Sequence, residues 1–184
     1  MDILKETKIG SNDLLIATGR DFADSLSASA TGLPILLVNG KAGKSLTAEQ
    51  KAFLATVKGK IYIIGGNSAV PAALREEIEE VSGKTTTRIA GNSRYETSVK
   101  IAEKFFSGAK SAVVAYASTF PDGLCGGPLA YTVGAPLILT KDGKREAPDY
   151  TTGNNITSGY VLSGDGLISD DFAKTIFGVS EIIK

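Results

Sequence analysis

The chain contains no histidine and only one cysteine among its 184 residues. Without histidine it cannot build a Ser-His-Asp or Cys-His catalytic arrangement, and it lacks the usual general base at neutral pH and the commonest zinc ligand. The single cysteine, Cys125, excludes an intramolecular disulfide. No residues assemble a nucleophile, an activated base and an oxyanion site. We therefore predict a protein that is not an enzyme, with no catalytic residue, no metal site and no cofactor.

The chain also has no excess charge and no unbroken apolar run of membrane-spanning length. Its 20 acidic and 20 basic residues cancel, whereas nucleic-acid binders normally present a basic face. Residues 123–140 carry no charge, but they are interrupted by Gly126, Gly127, Pro128, Gly134 and Pro136, so we interpret the stretch as buried core. The N-terminus lacks the basic and apolar regions of a signal peptide. A secreted protein would therefore be represented here without its signal.

The stretch Ala112–Thr140 has the pattern of a strand, a helix and a second strand. Pro121 suits the first helical position, because its missing N–H would be unpaired there. Asp122 lies in the first turn, where a negative charge meets the positive end of the helix dipole. Gly134 and Pro136 end the helix. Such a unit joins two parallel strands through a right-handed crossover.

The same pattern occurs earlier in the chain, so the sequence contains an internal repeat. Phe22 matches Phe120 and Tyr62 matches Tyr160, each at an offset of 98 (120 − 22 and 160 − 62). We predict an α/β fold of two tandem repeats with mainly parallel sheets, at residues 1–87 and 88–184. The first repeat lacks the R-x-x-G-x-x-R-Y segment that opens the second.

Capping signals predict where several helices begin. Thr47 with Gln50, and Ser93 with Glu96, have the spacing of a capping box, and Ser169 is placed to cap the last helix. The segment 121–133 is predicted as one helix. The more irregular segments are predicted as a polar lead-in at residues 1–12, mostly loop at 141–157, and a last short strand at Ile182–Ile183.

Several chemically notable side chains are predicted to be structural. We interpret Asp24 and Asp122 as residues that stabilise helix starts rather than as a catalytic pair. Phe22 and Phe120 are predicted in the core, and Cys125 is predicted as a buried, inert thiol on an apolar helix face.

A glycine-containing segment between the two repeats is suited to anions. Arg88 and Arg94 flank a glycine turn at a helix N-terminus, where backbone N–H groups and arginines both favour negative charge. The alternative is that both arginines pair with acidic side chains between the two halves. Gly65-Gly66 lacks the pattern of a phosphate loop, so we interpret it as a tight turn after a strand.

Three segments together resemble the cell wall binding repeat type 2 family, which occurs on surface proteins of Gram-positive bacteria, notably clostridial S-layer and cell wall proteins. They are Arg88–Thr97, Phe120–Leu124 and Gly134–Leu139. The resemblance implies a Toprim-like or Rossmann-like module. It also implies secretion and a location at the extracellular cell wall surface.

The family resemblance implies non-covalent anchoring to anionic wall polymers, polysaccharide or teichoic-acid-like, in modules packed as a three-fold ring. A ring would require this chain to associate with itself or with neighbouring repeats. The family's apolar binding motif maps here onto Pro34, Ile35, Leu36, Leu37, Pro136, Leu137, Ile138 and Leu139. Because this motif has the pattern of a buried strand, we expect direct polymer contacts from Arg20, Arg88 and Arg94 instead.

Two other classes of function remain open at this point. An α/β enzyme or nucleotide-binding domain would have its site at the carboxyl ends of the strands. A structural module could instead mediate assembly with other surface proteins or modulate a wall hydrolase.

Overall fold

The computed structural model describes residues 13–164 and 166–183, so the predicted lead-in at residues 1–12 lies outside the described residues. These residues form two α/β units. The first contains residues 13–25 and 33–90, and the second contains residues 26–32, 91–164 and 166–183. Every strand pair in both units is parallel. The predicted α/β class with mainly parallel sheets is confirmed.

The first unit is built on a four-stranded sheet. Its elements in chain order are β1 (Leu14–Thr18), α1 (Ala23–Ser29, whose last four residues group with the second unit), β2 (Ile35–Val38), α2 (Ala48–Leu54), β3 (Ile61–Ile64), α3 (Ala72–Ser82) and β4 (Thr86–Ile89). The strand order is β2-β1-β3-β4. β1 is buried along its whole length, as expected of a central parallel strand covered on both faces. The core of this unit includes Leu14, Ile16 and Ile63 from the strands, with Leu54 and Ile78 from the helices.

The second unit is built on a three-stranded sheet. Its elements are α4 (Arg94–Phe105), β5 (Ala112–Tyr116), α5 (Pro121–Leu124), α6 (Gly126–Val133), β6 (Leu137–Thr140), α7 (Glu146–Gly153), β7 (Gly159–Leu162) and α8 (Asp170–Phe177). The strand order is β6-β5-β7. Val114 and Ile138 lie in a core completed by Ala102, Tyr150 and Ile176 from three helices.

The capping predictions are confirmed in two cases and half confirmed in the third. Thr47 and Gln50 form a complete capping box. The Ser93 hydroxyl accepts the N–H of Glu96 at 3.2 Å, but the Glu96 carboxylate accepts from Asn92 instead of closing the box. At the last helix, the Ser169 hydroxyl accepts a backbone N–H as predicted.

Two prolines account for the wrong helix predictions. The helix predicted at 121–133 is interrupted at Cys125, and Pro128 falls in the first turn of α6, where its missing N–H breaks no helical bond. Residues 141–157, predicted as mostly loop, include a helix, since α7 spans Glu146–Gly153 with Pro148 again in the first turn. Ala147, Tyr150 and Thr151 give α7 a buried face, so Pro148 and Gly153 mark its two ends rather than its absence.

Three further predictions are wrong. Phe120 is exposed rather than in the core, while Phe22 is half-buried. Cys125 is exposed, because the break between α5 and α6 lies at the surface. Residues Ile182–Ile183 form no strand.

Candidate ligand-binding site

Basic side chains follow the carboxyl ends of the strands in both units. In a parallel sheet all carboxyl ends meet at one edge, which is where open α/β sheets bind ligands. In the first unit, Arg20 lies two residues after β1 and is exposed. Its backbone N–H donates to the Thr18 hydroxyl at 3.2 Å, which fixes the turn that carries it. Arg20 is therefore accessible at the carboxyl edge of the first sheet.

Arg88 is held within the first unit by backbone atoms. Its Nη1 donates to the carbonyl oxygen of Gly65 at 2.7 Å, and its Nη2 donates to that of Val70 at 2.9 Å. Burial, with a smaller contribution from the charge of Arg75, lowers the pKa of the Arg88 guanidinium, which still remains charged at neutral pH. Arg88 thus braces the end of β3 against the start of α3. Both of these partners are backbone carbonyls rather than acidic side chains.

Arg94 lies at the corresponding edge of the second sheet. Its Nη1 donates to the carbonyl of Ala117, directly after β5, at 2.8 Å. The Glu96 carboxylate accepts both the backbone N–H of Asn92 at 2.8 Å and its side-chain amide at 3.0 Å. The chain's own carboxylate therefore neutralises part of the positive helix start that the sequence predicted as suited to an external anion.

A repeated lysine turn at both carboxyl edges was missed in the sequence. Residues 41–44 read Lys-Ala-Gly-Lys after β2, and residues 141–144 read Lys-Asp-Gly-Lys after β6. In each, the last N–H donates to the carbonyl of the first residue at 3.1 Å, and the glycine has a φ of 73° or 79°. That positive φ at the third position is what a type II turn requires. The matching K-x-G-K letters, at an offset of 100 (141 − 41), were the available signal.

The lysines of these turns, here called the lysine turns, are mostly accessible. Lys41, Lys44 and Lys141 are exposed. The ammonium of Lys144 lies 4.8 Å from the centre of the Tyr95 ring, within range of a cation–π interaction. Each unit therefore presents a pair of ammonium groups on a rigid turn at the edge of its sheet.

The apolar family motif is the edge strand of each sheet. In the second unit, residues Leu137–Thr140 are all buried as β6. In the first unit, Leu36 and Val38 of β2 are buried, but Leu37 is 50% exposed. The prolines before both strands supply a sheet hydrogen bond, through carbonyls that accept a β1 or β5 N–H at 2.9 Å. Fold formation thus accounts for most of this motif.

Two other features do not form an anion or metal site. A groove of ≈ 340 Å³ between α4 and α7 is lined by four carboxylates, including Glu103 and Glu146, and by a single lysine, so its charge has the wrong sign for an anionic ligand. Burial and the charge of Glu103 raise the pKa of Tyr150 in its wall.

Within residues 13–164 and 166–183, no group of three metal-ligating side chains could hold an ion. The helices in this part of the chain include none long and apolar enough to cross a membrane.

The chain matches the family model described as cell wall binding domain 2 (CWB2) over residues 1–75 and 88–173. It is 34% identical over 134 residues to an uncharacterised protein of Pyrococcus abyssi, covering 70% of this chain and 40% of that protein. It is 28% identical over 179 residues to N-acetylmuramoyl-L-alanine amidase LytC of Bacillus subtilis, covering 92% and 35%. An amidase enhancer of the same organism is 28% identical over 163 residues, covering 85% and 22%. The chain thus spans well under half of each relative.

Two solved structures share the fold. Cwp8 from Clostridium difficile has a TM-score of 0.80 at 23% identity, covering 95% of this chain and 30% of that one. Cwp6 from the same organism has a TM-score of 0.81 at 22% identity, covering 92% and 28%. At this level of identity the likeness establishes the fold alone.

Proposed function

Because the chain belongs to the cell wall binding domain 2 family, we propose that it attaches the protein that carries it to the bacterial cell wall by binding an anionic wall polymer. The carrier protein would be secreted and held at the extracellular surface. The polymer would be a polysaccharide or teichoic-acid-like chain with repeated negative groups. Family membership supports wall binding in general. The ligand class rests on the charges at the carboxyl edges.

The observation that carries this ligand class is the lysine turn at the carboxyl edge of each unit. Arg20 adds an exposed charge after β1, the strand that pairs with β2, and Arg94 lies at the edge that bears the second turn. Single exposed ion pairs contribute only about 0–1 kcal/mol each. Two or more weak sites that engage successive groups on one polymer gain retention through their effective concentration. Attachment by this chain is therefore expected to depend on both units and on salt concentration.

Co-sedimentation with purified Gram-positive cell walls tests the proposal directly. We expect binding to native walls, loss of binding to walls stripped of anionic polymer, and progressive weakening as salt rises toward 1 M. Equal binding to both wall preparations would identify peptidoglycan, and not the anionic polymer, as the ligand. Binding that persists unchanged in molar salt would contradict the electrostatic contribution.

A matched pair of triple variants tests the lysine turns. Lys41, Lys44 and Lys141 are exposed at the carboxyl edges, whereas Lys58, Lys60 and Lys110 are exposed immediately before strands, at the amino edges. Changing the first three lysines to alanine is expected to weaken wall binding about tenfold or more. Changing the second three removes the same net charge and is expected to leave binding within about twofold. Equal losses in the two variants would show that only total charge matters.

The exposed side of α5 and α6 supports self-association or packing against neighbouring repeats. Within the second unit, Leu26 lies against Gly123, where an added Cβ would come within 2.5 Å of the leucine side chain. Leu124 takes the place of Leu26 in the second copy (124 − 26 = 98) and is 60% exposed, with Tyr131 at 64%. A contact that joins unlike surfaces can be repeated around a closed ring. We propose that a further repeat covers Leu124 as Leu26 is covered here.

Sedimentation velocity of the wild-type chain and of a Leu124→Glu, Tyr131→Glu variant tests this association. We expect concentration-dependent oligomers of the wild type and monomers of the variant. A chain that stays monomeric at millimolar concentration would leave neighbouring repeats, and not a second copy, as the partner.

A role beside wall hydrolases is a second candidate, favoured by the similarity of the chain to an amidase and to an amidase enhancer. Under this proposal the module holds or modulates a catalytic region that the chain itself does not contain. Wall digestion by an amidase, measured with and without this chain in trans, tests modulation separately from binding.

A further inference from the structure

Within residues 13–164 and 166–183, the second sheet has an open edge at the position where the first sheet is closed. In the first unit, β4 pairs with β3 along its outer side, with Ile61 to Ile64 opposite Thr86 to Ile89. β7 takes the place of β3 in the second unit, and in the described part of the chain it pairs only with β5. Tyr160 of β7 is 49% exposed. Its counterpart in β3, Tyr62, is 6% exposed.

A groove of ≈ 600 Å³ runs beside this open edge. It is lined by all four residues of β7, by residues of α8 and by the chain that follows α8. An unpaired parallel strand presents a row of N–H and C=O groups, which another extended segment can use to join the sheet. The groove therefore has the shape and the backbone chemistry of a strand-binding site.

The backbone carbonyls that hold β4 have counterparts at this groove. Arg88 of β4 donates to the carbonyls of Gly65 and Val70. The offset of 98 converts these positions to Ser163 and Ile168, and both residues line the groove. In both units, the carbonyl of the glycine that comes two residues after the strand accepts N–H donors from the residues three and four positions later, at 2.9 to 3.3 Å. The same turn thus carries the same two carbonyls in each unit.

The side chains around the groove differ from those around β4. In the first unit, the Glu79 carboxylate accepts the N–H of Thr86 at 2.8 Å and its hydroxyl at 2.7 Å, while Arg75 donates to that hydroxyl at 3.0 Å. The counterparts of Arg75 and Glu79 are Ala173 and Phe177 (75 + 98 and 79 + 98), and both are buried and line the groove. The groove beside β7 is therefore apolar at the positions that make polar contacts with β4 in the first unit.

The end of the chain does not form the strand predicted at Ile182–Ile183. Residues 181–183 line the groove without pairing with β7, and Glu181 is exposed. A carboxylate placed between Ala173 and Phe177 would be desolvated without a donor, so this position favours an apolar side chain.

We propose that β7 binds in parallel an extended segment of a neighbouring repeat of the same family. This segment carries an apolar residue at the place of Thr86 and an arginine two residues later. The apolar side chain enters between Ala173 and Phe177, and the arginine donates to the carbonyls of Ser163 and Ile168. The second family match begins at residue 88, inside β4, so the opening segment of one repeat here completes the sheet of the preceding unit. The inference does not depend on which wall polymer is bound.

Peptides cut from this chain test the proposal. The probe is the fluorescently labelled peptide Lys-Thr-Val-Thr-Arg-Ile-Ala-Gly, which is residues 84–91 with Thr86→Val. Titration of the full chain into this peptide, followed by anisotropy, is expected to show saturable binding. The unmodified threonine peptide is expected to bind several-fold more weakly, and the valine peptide with Arg88→Ala about tenfold more weakly. Amide hydrogen exchange is expected to slow in residues 160–163 and to stay unchanged in β3.

A Ser163→Pro variant removes one backbone donor from the groove. Its counterpart, the Gly65 N–H, donates to the Ile89 carbonyl of β4 at 2.9 Å. The variant is expected to bind the valine peptide several-fold more weakly. If the variant fails to fold, amide hydrogen exchange in residues 160–163 of the wild-type chain tests the proposal instead. Absence of saturable binding, equal binding of the three peptides, or protection away from β7 would overturn the proposal. Concentration-dependent protection of β7 without peptide would identify a second copy as the occupant and would also overturn it.

Discussion

The edge strands β2 and β6 carry the same apolar motif, yet one is exposed where the other is buried. Leu37 of β2 is 50% exposed, whereas Leu139 at the same place in β6 is fully buried. The difference comes from α4, which packs on β6 and whose Ser98 hydroxyl accepts the N–H of Leu139 at 3.1 Å. At the opposite edge the relation is reversed, because among the described residues β4 pairs with β3 while β7 pairs only with β5. The burial of a repeated motif is therefore decided by the neighbours of its strand.

The largest expected effect comes from truncating this motif in each unit. Leu139→Ala removes a fully buried side chain and is expected to cost about 2–5 kcal/mol of unfolding free energy. Leu37→Ala is expected to cost less than about 1 kcal/mol, because half of its side chain is already in water. Urea unfolding of both variants measures the difference. Equal losses would mean that β2 and β6 are covered alike in solution.

Exchanging Gly65 and Ser163 between the units tests the difference between the turns that follow β3 and β7. Gly65 is buried with a φ of 99°, and an added Cβ would lie 2.2 Å from Oδ2 of Asp24. Gly65→Ser is expected to cost about 1–3 kcal/mol of stability through backbone strain and overpacking. The reverse change, Ser163→Gly, is expected to cost about 0.5–1 kcal/mol, because Ser163 needs no positive φ. Thermal unfolding of the two variants measures both losses of stability. A Gly65→Ser variant as stable as the wild type would contradict the close approach of Asp24 to Gly65.

The polar contacts of β4 provide the next test. Glu79→Ala removes the acceptor for the backbone N–H and the hydroxyl of Thr86, which is buried, and is expected to cost about 1–3 kcal/mol. Glu76, exposed on the same helix, is the matched control, and its change to alanine is expected to alter stability by less than about 0.5 kcal/mol. Chemical denaturation measures both. If the two variants lose the same stability, helix propensity and not the contact with β4 is responsible.

The smallest expected effect is a loss of stability in acid from the first unit. Hydrogen bonds from Lys51 and the Leu46 N–H lower the pKa of Glu77, and those from the Thr86 N–H and hydroxyl lower that of Glu79. Lowered native pKa values mean that the unfolded chain binds more protons, so stability rises with pH. This contribution is complete above the ordinary glutamate pKa of about 4.3 and is lost as the pH falls through the lower native values.

A Glu77→Gln, Glu79→Gln variant tests that pH dependence. Its urea midpoint is expected to change less between pH 7 and pH 3 than that of the wild type. An identical change in both proteins would assign the acid sensitivity to other carboxylates.

The strands were predictable from sequence because buried parallel strands appear as continuous apolar runs, as in Leu14–Thr18 and Ala112–Tyr116. The helix α7 was not, because Pro148 and Gly153 are also the residues that break helices, and only the buried face of Ala147 and Tyr150 distinguishes the two cases. The different exposure of Leu37 and Leu139 was not predictable either, because each is the third apolar residue after a proline. It depends on packing by distant elements.

The candidate site was only partly predictable. The resemblance to a family indicates the apolar motif and the residues of the arginine segment, whose contribution to binding stays a prediction. The hydrogen bonds of Arg88 to two backbone carbonyls have no sequence signal, since any residue supplies a carbonyl. The lysine turns did have one, but their offset of 100 (141 − 41) differs both from the offset of 98 that relates β1 to β5 and β3 to β7 and from the offset of 102 (137 − 35) that relates β2 to β6.

The hydrogen bonds from Arg88 to main-chain oxygens also bear on how such repeats diverge. A guanidinium that recognises only peptide carbonyls is indifferent to the side chains attached to them. The residues at the receiving positions differ between the units, with glycine at 65 against serine at 163 and valine at 70 against isoleucine at 168, but each supplies the same backbone acceptor. The side chains at such positions are therefore constrained by their own backbone conformation and packing, and not by the hydrogen bonds of the arginine.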